Sequence, residues 1–189
     1  MGKLFLLKPK RFGDARGWFM ETYSEKAFAA LGLHHGFVQD NHSFSAESGT
    51  LRGLHFQTPP FAQAKLVRCT RGAMFDVAVD VQRGSPTYGQ WIGCELSAQN
   101  GHQLYIPVGF AHGFVTLTAD CEVQYKVSAP YAPANDGGIL WSDPDIAVTW
   151  PLAEDVKPTL SGKDEVLPLL SGFESPFDYD GVPMELLEV

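Results

Sequence analysis

Long apolar runs are missing from this 189-residue sequence. None approaches the ~20 residues that a membrane helix needs, so no membrane association is expected. The opening MGKLFLLKPKRFGDARG holds one short apolar run, followed at once by basic and polar residues without a small-residue cleavage site, which is not a signal-peptide pattern. Cysteine is scarce. Cys69, Cys94 and Cys121 are odd in number, widely spaced and set in strand-like runs, which argues against a disulfide framework and a zinc cluster. Buried thiols in a reducing cytoplasm are the expected state. Positive charge is also short: 14 Lys and Arg against 22 Asp and Glu give −8. That balance disfavours nucleic acid as a partner. The deficit concentrates after residue 170, where Glu174, Asp178, Asp180, Glu185 and Glu188 face no Lys or Arg. A nucleotide diphosphate would need a local basic pocket.

Helical periodicity is nearly absent. Only SEKAFAALGL, residues 24–33, reads clearly as a helix, with Ser24 as N-cap and Ala27, Phe28 and Leu31 at helical spacing. A short final helix is expected near Ser161. What the chain has in quantity is short strand-like runs between turn signals: LVRC, AMFDVAVDV, WIGCEL, HQLYIP, GFVTL and CEVQYKV. Regularly punctuated short strands predict an all-β sandwich or barrel. One domain is expected over 1–189: an N-terminal arm to about 50, a barrel core over about 51–130, loops and short helices over about 131–170, and an acidic tail over 171–189.

In CEVQYKV, period-two alternation puts Val123, Tyr125 and Val127 on one face and Gln124 and Lys126 on the other. Tyr125 therefore points inward. On the residues alone it reads as a core tyrosine with a hydrogen-bonded hydroxyl. LRGLHFQ brings Arg52 and His55 into one extended run, with Lys65 soon after, on strands that could face one lumen. PVGFAHGF carries His112 in a P-x-G-x-x-H spacing that resembles the second motif of cupin barrels. Metal-binding cupins have H-x-H in the first motif. Here it reads His55-Phe56-Gln57. A site gathering His42, His55 and His112 is the metal alternative. A barrel without metal, using His55 as a base beside cations that stabilise an enolate, is preferred. His34 and His35 read as surface residues and His102 as a turn residue.

FVQDNHS, LRGLHFQ, KLVRC, FDVAVD, GSPTYGQW, LSAQN, IPVGFAHGF, YKVSAPYAP and LSGKD, in this order, resemble the dTDP-4-dehydrorhamnose 3,5-epimerase family from about Lys8 to Leu170. The resemblance implies a homodimeric cupin jelly roll, or double-stranded β-helix, with its active site in the lumen and no cofactor. It implies dTDP-4-dehydro-6-deoxy-glucose as substrate, on the route to dTDP-L-rhamnose, with proton removal and return at carbons 3 and 5 beside the carbon 4 ketone. It assigns His55 as base, Asp164 as its carboxylate partner, Tyr125 as acid and Lys65 as enolate stabiliser. Asp76 is the first alternative partner for His55. It gives Arg52 to the diphosphate, and Arg16 and Glu21 to the nucleotide across a dimer. Gln39, Asn41, His112, Tyr131 and Lys163 complete the pocket.

Three positions depart from the family pattern: Ala64 for glycine, Asp136 near a usual glutamate, and Pro130 where some relatives have tyrosine. None removes a catalytic group. The alternatives within the barrel class are a single-site 3- or 5-epimerase and a 3,4-ketoisomerase. The alternative from another class is a non-catalytic barrel that binds a sugar nucleotide.

Overall fold

The computed structural model describes residues 3–153 and 156–189. Thirteen strands occur among them: β1 (Lys3–Leu7), β2 (Arg11–Asp14), β3 (Gly17–Met20), β4 (Gln39–Ser45), β5 (Leu51–Gln57), β6 (Lys65–Arg71), β7 (Ala73–Asp80), β8 (Trp91–Ser97), β9 (Gln103–Ile106), β10 (Phe110–Thr116), β11 (Cys121–Val127), β12 (Asp136–Gly138) and β13 (Glu185–Glu188). Six form one sheet in the order β13-β1-β9-β6-β11-β4, five form a second in the order β12-β5-β10-β7-β8, and β2 and β3 make a separate hairpin.

Alternation along these strands sorts the apolar residues into three layers. Leu4, Leu6, Val67, Leu104 and Val123 of the first sheet meet Met74, Ala78, Leu96, Phe110 and Phe114 of the second in the space between them. The outer face of the first sheet, with Phe5, Leu66 and Tyr105, is covered by Phe28 and Leu33. The outer face of the second, with Leu54, Phe56, Val77 and Val79, is covered by Ile139, Ile146, Leu170 and Phe177. Two facing sheets with one shared interior make this an all-β, cupin-type jelly roll.

The expected helix over 24–33 is α1 (Glu25–Ala30), with Ser24 Oγ accepting from the Ala27 amide at 3.4 Å. The helix expected near Ser161 is instead a turn, in which the amides of Asp164 and Glu165 donate to Ser161 O at 3.0 and 3.2 Å. Pro168 explains the difference. It biases Leu167 towards extended backbone, so too few residues remain to propagate a helix.

The stretch 171–189 packs as part of the barrel. Phe173 and Phe177 lie on Phe56, with ring centroids 4.9 and 5.8 Å away. β13 pairs in parallel with β1, Lys3 opposite Glu185. Its acidic residues meet the cations that the sequence places elsewhere: Glu185 pairs with Lys3 at 3.6 Å, Glu188 with Lys8, and Asp178 with Arg83. Exposed pairs of this kind contribute little each. Burial of Phe177, 5% exposed, is the stronger anchor.

Candidate active site

The interior of the barrel opens into a cavity of about 460 Å³, lined among others by Arg52, His55, Lys65, His112, Tyr125 and Asp164. A second recess of about 220 Å³ is lined by Gln39, Asn41, Tyr131, Asp136 and Lys163, and shares His55, Lys65 and Tyr125 with the first. The two spaces therefore meet at one imidazole, one ammonium and one phenol.

Strand register explains how these groups converge. On the first sheet Tyr125 stands between Asn41 and Val67, and Val127 between Gln39 and Lys65, so Gln39, Asn41, Lys65 and Tyr125 share the inner face. On the second sheet His55 lies directly opposite His112. One pair further along, Arg52 lies opposite Phe114, so β5 takes three steps where β10 takes two. This bulge turns Arg52 to the side of His55, although strict alternation would put residues three apart on opposite faces. Two glycines permit it. A Cβ on Gly53 (φ +137°) would lie 2.5 Å from Gly113 Cα, and one on Gly113 would lie 2.9 Å from Arg52 O.

His55 Nε2 and Asp164 Oδ1 are 2.5 Å apart. Asp164 is almost fully enclosed, and its other oxygen accepts from Ser161 Oγ at 2.9 Å. Burial pushes the Asp164 carboxyl up, but the hydrogen bond and charge of His55, with Ser161 and Lys163, bring it below the usual carboxylate range. Lys65 is buried and donates to His55 O at 3.3 Å. Burial pushes its ammonium down to about 8, against the attraction of Asp76 and Asp136. Tyr125 Oη makes no hydrogen bond among the described residues, so it is not the satisfied core tyrosine that alternation alone suggests. Burial pushes its phenol up, opposed by Arg52. At neutral pH it is a proton donor facing the cavity.

Arg52 Nη2 donates to Phe44 O at 3.2 Å and sits at the exposed rim. Gln39 bridges two neighbours, donating to Asn41 Oδ1 at 2.8 Å and accepting from the Tyr131 amide at 3.0 Å. Asp136 accepts from Lys163 at 2.5 Å and from the Tyr131 hydroxyl at 3.4 Å. The three departures are absorbed locally: Asp136 holds Lys163, Pro130 O accepts from Gln57, and the Ala64 methyl is buried in the outer core.

Two candidates are not brought to this cavity. Arg16 is held by Asp14 at 2.5 Å on the exposed end of the β2–β3 hairpin, and Glu21 lines a different recess. His42 faces outward to Glu122 at 3.1 Å, so the trio with His55 and His112 is not assembled. His35 is a correction to the surface reading: it is half-buried, with Nδ1 2.8 Å from Tyr105 Oη. Asp76 is the partner of His112, at 2.7 Å, rather than of His55. Ser161, which orients Asp164, was missed. Its signal was the serine three residues before the acid in LSGKD, a spacing suited to side-chain capping.

A cupin-type barrel whose lumen holds a histidine–carboxylate pair beside a phenol and an ammonium is equipped for proton transfer next to a carbonyl. The chain matches the dTDP-4-dehydrorhamnose 3,5-epimerase family over residues 1–172. It is 55% identical to the dTDP-4-dehydrorhamnose 3,5-epimerase of Sinorhizobium fredii, over 92% of this chain and 88% of that protein. The structure of the Legionella pneumophila dTDP-6-deoxy-D-glucose-3,5-epimerase, in complex with dTDP-4-keto-L-rhamnose, is 44% identical with a TM-score of 0.87, covering 92% of each chain. A 3'-monoepimerase of Streptomyces bikiniensis, in complex with dTDP-quinovose, is 36% identical with a TM-score of 0.83, over 89% of this chain and 84% of that one. The chain belongs to the dTDP-4-dehydrorhamnose 3,5-epimerase family, whose members are isomerases.

Proposed function

We propose that this protein inverts carbons 3 and 5 of dTDP-4-dehydro-6-deoxy-D-glucose to give dTDP-4-dehydro-L-rhamnose. The observation that carries the reading is the opposition, around one cavity, of His55 on one sheet, paired with Asp164 from a loop, and Tyr125 and Lys65 on the other sheet. Nε2 of His55 is engaged by Asp164, which leaves Nδ1 to take a proton from the carbon beside the ketone. The C–H electron pair moves into an enolate whose oxygen is stabilised by the Lys65 ammonium. Tyr125 then gives its hydroxyl proton to the opposite face of that carbon and is reprotonated from solvent. His55 gives the abstracted proton to solvent, and repetition at the second carbon completes the reaction. Asp164 stabilises the imidazolium formed in each round.

The diphosphate is assigned to Arg52, where a guanidinium can pair with two oxygens. Gln39, Asn41, His112, Tyr131 and Lys163 are assigned to the rest of the substrate. The enzyme acts as a homodimer. Support comes from the β2–β3 hairpin, which exposes Phe12, Trp18 and Phe19 together with Arg16. A second copy would cover this apolar patch and receive Arg16 and Glu21 at its nucleotide. The cytoplasm is the proposed location, in keeping with three free thiols. No helix among the described residues is long and apolar enough to cross a membrane.

Proton NMR of the 4-keto sugar nucleotide in deuterated water tests the reaction. Deuterium at carbons 3 and 5 with inversion at both is the expected result. Exchange at one carbon only would make this a single-site enzyme like the Streptomyces relative, and no exchange would refute catalysis.

A further inference from the structure

Asp76 has no part in the proton transfers just described, yet it is fully enclosed in the lumen. Its Oδ1 lies 2.7 Å from His112 Nε2, and its Oδ2 has no partner. A buried carboxylate left half-satisfied is costly, which asks for a functional reason. An ionised carboxylate only accepts, so Nε2 carries the hydrogen. Nδ1 of His112 makes no hydrogen bond among the described residues. It is not enclosed either, because the enclosed unpaired side-chain atoms among the described residues are Arg11 Nε, Ser43 Oγ and Asp76 Oδ2. Nδ1 therefore opens on the 460 Å³ cavity that His112 lines. The titratable groups around this ring are Asp76 on β7, His55 on β5 and Lys65 on β6. Burial pushes the imidazole below the ordinary histidine value, against the pull of Asp76 and with the push of Lys65 and His55.

We propose that Asp76 is a positioning residue that locks His112 as the neutral Nε2–H tautomer, so that its Nδ1 lone pair accepts a hydrogen bond from a sugar hydroxyl neighbouring the ketone. The inference rests on the epimerase reading. Its consequence is a division of labour. The Lys65 ammonium can only donate, so it takes the ketone or enolate oxygen. His112 presents only a lone pair, so it takes a hydroxyl and repels a carbonyl oxygen. Between them the two groups tell C=O from C–OH and hold the sugar in one orientation over His55.

The test uses the ¹⁵N-labelled full chain and long-range ¹H–¹⁵N spectra of its histidine rings. The expected wild-type result is a protonated Nε2 and a bare Nδ1 for His112 throughout the neutral range. Asp76→Leu, which replaces the carboxylate with a branched apolar group that cannot accept a hydrogen bond, should give mixed tautomers. It should also raise KM for the 4-keto sugar nucleotide by about 10–100-fold, the scale of a lost buried hydrogen bond. Affinity for dTDP alone, measured by titration calorimetry, should stay the same. An imidazolium or an Nδ1–H tautomer in the wild type overturns the proposal, and so does an Asp76→Leu protein with unchanged KM. Should that variant not fold, the wild-type spectrum decides by itself. A wild type that exchanges no deuterium would sink the epimerase reading, while the ring spectra would still report on the tautomer.

Discussion

The barrel holds two histidine–carboxylate pairs on adjacent strands, and they are built for different work. His55 has a side chain 29% exposed, and its partner Asp164 comes from the loop between β12 and β13 and is hydrogen-bonded on both oxygens. His112 is almost fully enclosed, and its partner Asp76 comes from the neighbouring strand with one oxygen unpaired. The first imidazole is open to the cavity and to water, as the base of the proposed reaction has to be. The second is desolvated, so burial disfavours its charged form and it serves as a fixed acceptor. On the proposed reading the same two residue types yield a base and a recognition element, and the difference lies in solvation.

Loss of the His55 imidazole should have the largest effect. His55→Ala should lower deuterium exchange at both carbons by roughly 10²–10⁴-fold; near-normal exchange in a folded variant would transfer the base role to another residue. Lys65→Met should cost about 10²–10³-fold in kcat, as the loss of a preorganised oxyanion partner does. Its stability should move the other way. The folded state holds Lys65 at about 8 against an ordinary 10.5, so the folded protein disfavours the ammonium. Wild-type stability should therefore rise as pH climbs from about 8 to about 10.5. The Met variant should be more stable at neutral pH, by on the order of 3 kcal/mol, with the gain gone above that window. Melting curves at two pH values check this, and kcat/KM of the wild type should fall above about 8 as the ammonium is lost.

Tyr125→Phe should separate exchange from inversion. Deprotonation needs His55 and a stabilised enolate, so deuterium should still enter the sugar while inverted product drops by roughly 10²-fold. An unchanged ratio of exchange to inversion would remove Tyr125 from the mechanism. Asp164→Asn should reduce turnover by about tenfold or more, in proportion to the lost support for the imidazolium. Asp164 is held below its ordinary value, so its pairing stabilises the fold at neutral pH and loses that contribution as pH falls through the lowered value. The gap in melting temperature between wild type and variant should accordingly close in acid. The smallest effect is expected at Arg16→Ala: about tenfold in KM with kcat retained, as befits one charge-assisted contact to the nucleotide. Wild-type KM in that variant would argue against the shared dimer site.

Much of this was legible in the residues. Alternation in CEVQYKV turned Tyr125 inward, and the quoted motifs carried the family and its barrel. Other features were not legible. The acids of 171–189 read as an acidic tail apart from the barrel core because their partners, Lys3, Lys8 and Arg83, lie far away in sequence. Asp76 read as a possible partner for His55 because spacing does not say which neighbouring strand a carboxylate reaches.

Arg52 and His55 draw the line most sharply. Residue order places a cation and an imidazole three residues apart in one extended run, and period two assigns such residues to opposite faces. Only the pairing of β5 with β10 decided otherwise. There the close approach of Gly53 and Gly113 admits an extra residue and rotates Arg52 into the cavity. Local preference sets the period of a strand, but register depends on which backbone lies alongside, and contacts between residues sixty positions apart set that at this site.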